Sequence, residues 1–129
     1  MIKTFRDLVV YQKSYQLALE LFRLTASFPH DERYGLIDQI RRASRSIPGN
    51  IAEGWAKRQY VNVLKQYLLD AAGSCAEMSV WLSFARDCGY LASKEHARFD
   101  AEYEGVGKML AGLQAKWRTI KQQRAEVRE

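Results

Sequence analysis

The strongest constraint on the fold lies between residues 99 and 120. Phe99, Tyr103, Val106, Leu110, Leu113, Trp117 and Ile120 recur at steps of four, three, four, three, four and three. Only an α-helix places such positions on one side, and a seam this long must be buried against other helices. Gly89 is suited to stop the preceding helix in a left-handed turn, and Ser93 to cap the next one. The charged stretch 122–129 is expected to fray.

The same period runs through the rest of the chain. A helix over 60–88 has the core line Leu64, Tyr67, Ala71, Cys75, Met78, Leu82 and Ala85. One over 32–57 has Leu36, Ile40, Ala43, Ile47 and Ile51, with Ser44, Gly49 and Gly54 beside that line to allow close approach. Pro48 falls inside it and predicts a kink; the apolar pattern stays in phase through Ile51, so the helix continues. The first helix, 5–27, opens on Thr4 with Asp7 in the manner of a capping box. Strand patterns are absent and the connections are short. Short links between long helices make neighbours antiparallel, which predicts an all-α, up-down-up-down four-helix bundle forming one domain over 1–129. At 129 residues there is material for one core and not two.

Helix one carries two apolar stripes on nearly opposite sides. Phe5, Leu8, Val9, Tyr15, Leu19 and Phe22 form one; Val10, Leu17, Leu21, Leu24 and Phe28 form the other. A monomeric bundle needs only one buried face per helix. The second stripe is therefore expected to be covered by another copy of the chain, making Val10, Leu17, Leu21, Leu24 and Phe28 an oligomer interface.

The chemistry-bearing residues point away from catalysis. His30 and His96, the two histidines, fall near the starts of different helices, and no Cys-x-x-Cys, His-x-x-x-His or Glu-x-x-His spacing occurs. Ser46 and Ser74 have no assignable base. The reading is a non-enzyme with no metal and no cofactor. Cys75 and Cys88 would stand about 20 Å apart on one helix, beyond disulfide reach. No window is apolar enough to span a membrane and the N-terminus is not that of a signal peptide, so the protein is expected to be cytoplasmic.

The net charge of +5 favours an acidic partner weakly. Arg41, Arg42 and Arg45 form the sharpest basic feature. They would contact phosphates, or pair with acids such as Asp38 at helical spacing and Glu77 on the facing helix. For Arg42 the pairing is the stronger reading, and a structural ion pair among Arg41, Arg42 and Glu77 is expected. Trp55, Lys57, Arg58 and Tyr60 interleave aromatics with cations, as a surface for unpaired bases would; Trp55 would serve equally as an apolar plug at one bundle end. Lys116, Arg118, Lys121, Arg124 and Arg128 form a second basic run, or a solvated helix face. Asn50 and Glu53, polar beside a buried line, read as structural.

The segment Gln39-Ile-Arg-Arg-Ala-Ser-Arg-Ser-Ile-Pro-Gly-Asn-Ile-Ala-Glu-Gly54 resembles the signature of the bacterial 23S ribosomal-RNA intervening-sequence proteins. Phe5-x-Asp7-Leu8, Phe28-Pro29, Glu32-x-x-Gly35-Leu36, Gly73-Ser74-x-x-Glu77 and Gly89-Tyr90-Leu91 match in order, so the resemblance covers about residues 5–115. It implies an antiparallel four-helix bundle, a ring-shaped homopentamer and no established enzymatic activity. A related branch, the accessory variability proteins of diversity-generating retroelements, binds a reverse transcriptase and nucleic acid. The resemblance thus implies an oligomeric accessory protein that binds RNA or DNA, or a scaffold that docks a partner protein such as a reverse transcriptase. Its most typical residues here are Arg41, Arg42, Ser46, Asn50, Glu53 and Gly54.

Overall fold

A computed structural model describes the backbone of residues 1–128 and the side chains of residues 1–117. It contains four α-helices: α1 (Val9–Thr25), α2 (Leu36–Ala56), α3 (Val61–Asp87) and α4 (Ser93–Arg128), with single 3-10 turns at Phe5–Asp7 and His30–Glu32. No strand occurs among the described residues. Each helix packs on its neighbour in the chain; α1 also touches α4, less extensively, while α1 and α3 lie diagonally opposed. This is the expected four-helix bundle.

The N-terminal signals act one turn earlier than the long helix they were expected to open. Thr4 and Asp7 form a capping box: the Arg6 amide donates to Thr4 Oγ1 (3.2 Å), and the Lys3 and Thr4 amides donate to Asp7 Oδ2 (2.8 and 3.0 Å). That box closes only the 3-10 turn. Leu8 is extended (φ −72°, ψ 126°) and its side chain enters the core, so α1 begins at Val9. α2 likewise starts at Leu36, after the separate turn at His30–Glu32. It then runs unbroken through Pro48, whose ring is itself buried.

The faces of α1 are the reverse of the expected arrangement. Val10, Leu17, Leu21 and Phe28 are buried in the chain's own core and Leu24 packs half-buried against it. They are not a surface for another subunit. The stripe left in water holds Val9, Tyr15 and Phe22, 65%, 46% and 45% exposed. The physical reason is continuity. Ser14 and Thr25 extend the Val10–Phe28 line and are fully buried, because their hydroxyls donate to carbonyls of their own helix, Tyr11 O (3.1 Å) and Leu21 O (2.7 Å). Satisfied in that way, they cost little to bury.

In α3 the core line is Leu64, Leu68, Ala71, Cys75, Met78, Leu82 and Ala85. Leu68 takes the place expected for Tyr67, which stays half-buried with its hydroxyl accepting from Lys57 Nζ at 2.8 Å. The helix ends as expected. Gly89 has φ +82°, its amide donates to Arg86 O (3.0 Å) and the Tyr90 amide to Ala85 O (2.8 Å), a Schellman motif. α4 buries Phe99, Tyr103, Val106 and Leu110 and half-buries Leu113 and Trp117, with Ile120 outside the described side chains. Its first helical residue is Ser93, and Ala92 supplies the first capped carbonyl, to the His96 amide at 2.9 Å. The helix does not end near Lys121 but continues to Arg128, since 122–128 holds no Gly or Pro and several good helix formers.

Candidate functional site

The three arginines of α2 separate into three different environments. Arg41 reaches α1: its Nε donates to Thr25 Oγ1 (3.0 Å), its Nη2 to the Phe22 carbonyl (3.1 Å), and its guanidinium lies 4.4 Å from the Phe22 ring centre. It thus satisfies a carbonyl in the last turn of α1 and sits at the negative end of that helix dipole. Arg42 pairs with Asp38 one turn back, at 3.2 Å on an exposed face. Neither meets Glu77, which is exposed on α3 with no ion pair among the described residues. The expected Arg41–Arg42–Glu77 network is therefore replaced by a clamp on α1 and an in-helix pair. Arg45 is exposed, with its guanidinium 5.6 Å from the Phe22 ring centre and no acidic partner among the described residues.

Three of the other predicted basic residues, Lys57, Arg58 and Lys116, fall near one end of the bundle. Trp55, at the end of α2, is buried and meets the Trp117 ring of α4 edge-on, with centroids 5.7 Å apart at 65°. This contact brings the α2–α3 junction beside the C-terminal part of α4. Arg58 lies 4.6 Å from the Trp55 ring centre and donates to the Trp55 carbonyl (2.9 Å). Lys57, besides donating to Tyr67, stands 4.8 Å from that ring's centre. The bond to Tyr67 raises the Lys57 pKa further, so it carries its charge throughout the neutral range. Tyr60 is exposed next to them, and Lys116 is exposed on α4. None of Lys57, Arg58 and Lys116 is in an ion pair among the described residues. The side chains of Arg118, Lys121 and Arg124 lie outside the described residues. Arg41 and Arg45 do not join this cluster: Arg45 and Lys57 are about 18 Å apart along α2.

A histidine cluster that sequence spacing did not reveal lies between α3 and α4. His96 is buried; its Nδ1 is 3.3 Å from Arg86 Nη1 and its Nε2 is 3.4 Å from Ser83 Oγ. A guanidinium only donates, so Nδ1 accepts and the neutral ring carries its proton on Nε2. Ser83 Oγ already donates to the Ser79 carbonyl (2.9 Å). His96 is thus arranged to donate towards Ser83 and not to take its proton. Among the described residues no group of three or more His, Cys, Asp or Glu side chains is placed to hold a metal ion, and no helix is long and apolar enough to cross a membrane.

Residues 6–112 match the model of the family described as 23S rRNA-intervening sequence protein. The chain belongs to that family. No curated protein matches it. Among solved structures it is similar to a protein of unknown function from the S23 ribosomal protein family of Bacteroides thetaiotaomicron. That similarity has a TM-score of 0.74 at 20% identity, over 83% of this chain and 96% of the other. At that identity the likeness concerns the fold. Three of the six residues most typical of that resemblance, Arg41, Ser46 and Gly54, join helices. Gly54 lies where α2 meets α3: a Cβ there would stand 2.9 Å from Tyr67 Cβ. Ser46 Oγ, on α2, is 2.7 Å from Ser74 Oγ on α3. Arg41 joins α2 to α1. Asn50 and Glu53 make no side-chain hydrogen bond within the described residues.

Proposed function

We propose that this family member is a non-enzymatic accessory protein that acts as a homo-oligomer and binds RNA or DNA through the end of the bundle built around Trp55. The observation that supports this is the Trp55–Trp117 contact. It gathers Lys57, Arg58 and Lys116, none of them neutralised by an acid among the described residues, beside the exposed ring of Tyr60. Cations without acidic partners are free to displace counterions from a phosphate backbone. An exposed tyrosine offers a face on which an unpaired base can stack. No β-ribbon occurs among the described residues, and we read recognition as electrostatic and weak in sequence preference.

Fluorescence anisotropy with a mixed-sequence single-stranded RNA and a DNA of equal length tests this. Affinity should fall as salt rises, with a log–log slope of about 0.7–0.9 per phosphate neutralised. The double substitution Lys57→Gln/Arg58→Gln should lower that slope while leaving the helical circular dichroism unchanged. Absence of binding at low salt, or a slope untouched by the double substitution, would favour the scaffold that docks a partner protein such as a reverse transcriptase.

A further inference from the structure

Among the described residues two apolar surfaces of the bundle remain uncovered. The first is a groove of about 520 Å³ between α1 and α2. Tyr11, Tyr15 and Phe22 form its α1 wall, while Pro48, Gly49 and Ala52 leave the α2 side almost bare. Arg45 stands at one end. The second surface is a ridge along α3. Leu69, Val80 and Phe84 are 54%, 51% and 53% exposed, and Gly73 and Ala76 between them are exposed as well. These five positions step by four, three, four and four, so they form one stripe, on the side of α3 away from its buried line. The stripe is about 22 Å long and the α1 wall of the groove about 16 Å.

The two surfaces carry opposite charges. The groove ends on Arg45, which has no acidic partner among the described residues. Along the ridge stands Glu77, one turn from Gly73 and exposed, which has no cationic partner among the described residues either. A bundle cannot bring its own ridge into its own groove, because the groove opens across α1 and α2 while the ridge stands on the corner diagonal to α1.

We infer that the α3 ridge of one copy of this chain docks in the α1–α2 groove of the next, with Glu77 of the ridge paired to Arg45 of the groove. This rests on the proposed reading of the protein as an oligomer and specifies its interface. The two surfaces differ, so the contact is head-to-tail. An open chain of such contacts presents a free ridge at one end and a free groove at the other, and the assembly ends only when a ring closes. The small residues of the α2 wall admit a helix ridge; the aromatic α1 wall supplies the large contact area that self-association needs.

The test uses one block on each surface. Gly49→Glu obstructs the groove at a position where an added Cβ meets nothing within 4 Å, so the bundle itself accommodates it. Val80→Glu places a charge on the exposed ridge. Light scattering at micromolar concentration should give a multiple of the 14.9 kDa mass for the parent and the single mass for each variant. An equimolar mixture of the two variants should give a dimer, because one still has a ridge and the other a groove. A monomeric parent, an assembled variant, or a mixture that stays monomeric would each overturn the inference. Should either variant lose its helical circular dichroism, a charge exchange takes its place. Arg45→Glu and Glu77→Arg should each raise the concentration for half-assembly about tenfold or more, and the double variant should restore it; no restoration would overturn the pairing. Anisotropy on the same samples separates the two proposals. A parent that assembles head-to-tail without binding nucleic acid keeps this interface and loses the proposed function, whereas a monomer that binds does the reverse.

Discussion

Arg41 holds the end of α1 with two hydrogen bonds, one to a buried hydroxyl and one to a carbonyl. Arg41→Ala removes both and should cost about 1–3 kcal/mol, whereas Arg42→Ala, which loses only an exposed pair, should cost about 0.5 kcal/mol or less. Urea denaturation of the two variants side by side checks this; equal losses would mean that Arg41 also acts only at the surface. The Arg42–Asp38 pair was legible because both residues are on one helix at a fixed spacing. Arg41's partners were not, since a backbone carbonyl on another helix has no sequence signature. Glu77 shows the converse, an acid whose expected cations, Arg41 and Arg42, proved to be engaged elsewhere. Cys75 gives a second prediction at this scale. Burial pushes its thiol from 9.0 up to about 11. A thiol raised in this way binds its proton more tightly in the folded state. Its contribution to stability is therefore complete below about pH 9 and is lost as the pH climbs through about 11. At pH 8 the native protein should take one iodoacetamide label, on the exposed Cys88, and a second only after unfolding. Rapid double labelling of the native state, seen by mass spectrometry, would contradict the burial.

Glycines set several of the helix ends and contacts, and their substitutions should differ in sign. At Gly89 the positive φ means that any Cβ is strained, so Gly89→Ala should lose about 1–2 kcal/mol. At Gly54 the backbone is helical but the Cβ would stand 2.9 Å from Tyr67 Cβ and 3.3 Å from Leu64 Cδ1. Two packed helices would have to separate, at a cost of about 1–3 kcal/mol. Gly112 is helical, exposed and clear of any neighbour within 4 Å. There Gly112→Ala should stabilise by about 0.5–1 kcal/mol. Thermal melts of the three variants give the order directly, and a stabilising Gly54→Ala would show that α2 and α3 do not approach as closely as this. At this scale the sequence was most informative for α4, where a single seam leaves no choice of face. It was least so for α1. With two stripes available, periodicity alone did not say which one meets the core. The deciding signal was polar: counting Ser14 and Thr25 as buriable makes the Val10–Phe28 line continuous, whereas Gln12 interrupts the other.

The arrangement of four helices was readable because it follows from seam length and short connections. The candidate site was readable only in pieces. Trp55, Lys57 and Arg58 are neighbours in sequence, and so are the basic residues near Trp117, but nothing local says that the two segments meet; their contact depends on α4 lying against the bundle as far as Trp117. A prediction follows from combining the two proposed properties. A cyclic assembly carries every subunit in the same orientation about its axis, so the Trp55 ends of all copies would stand on one rim. A flexible strand bound to one such end then meets the next at a high effective concentration, and several weak contacts add to one strong one. Val80→Glu is on the ridge and remote from the Trp55 end, so a monomer made in this way keeps Lys57, Arg58 and Lys116 as they are. Its affinity for a long single strand should nevertheless fall by about a hundredfold or more. Its affinity for a strand short enough to occupy one subunit should stay within about threefold of the parent's. Anisotropy at equal subunit concentration, with strands of two lengths, reads both quantities. A monomer that binds the long strand as tightly as the parent would show that each bundle works alone.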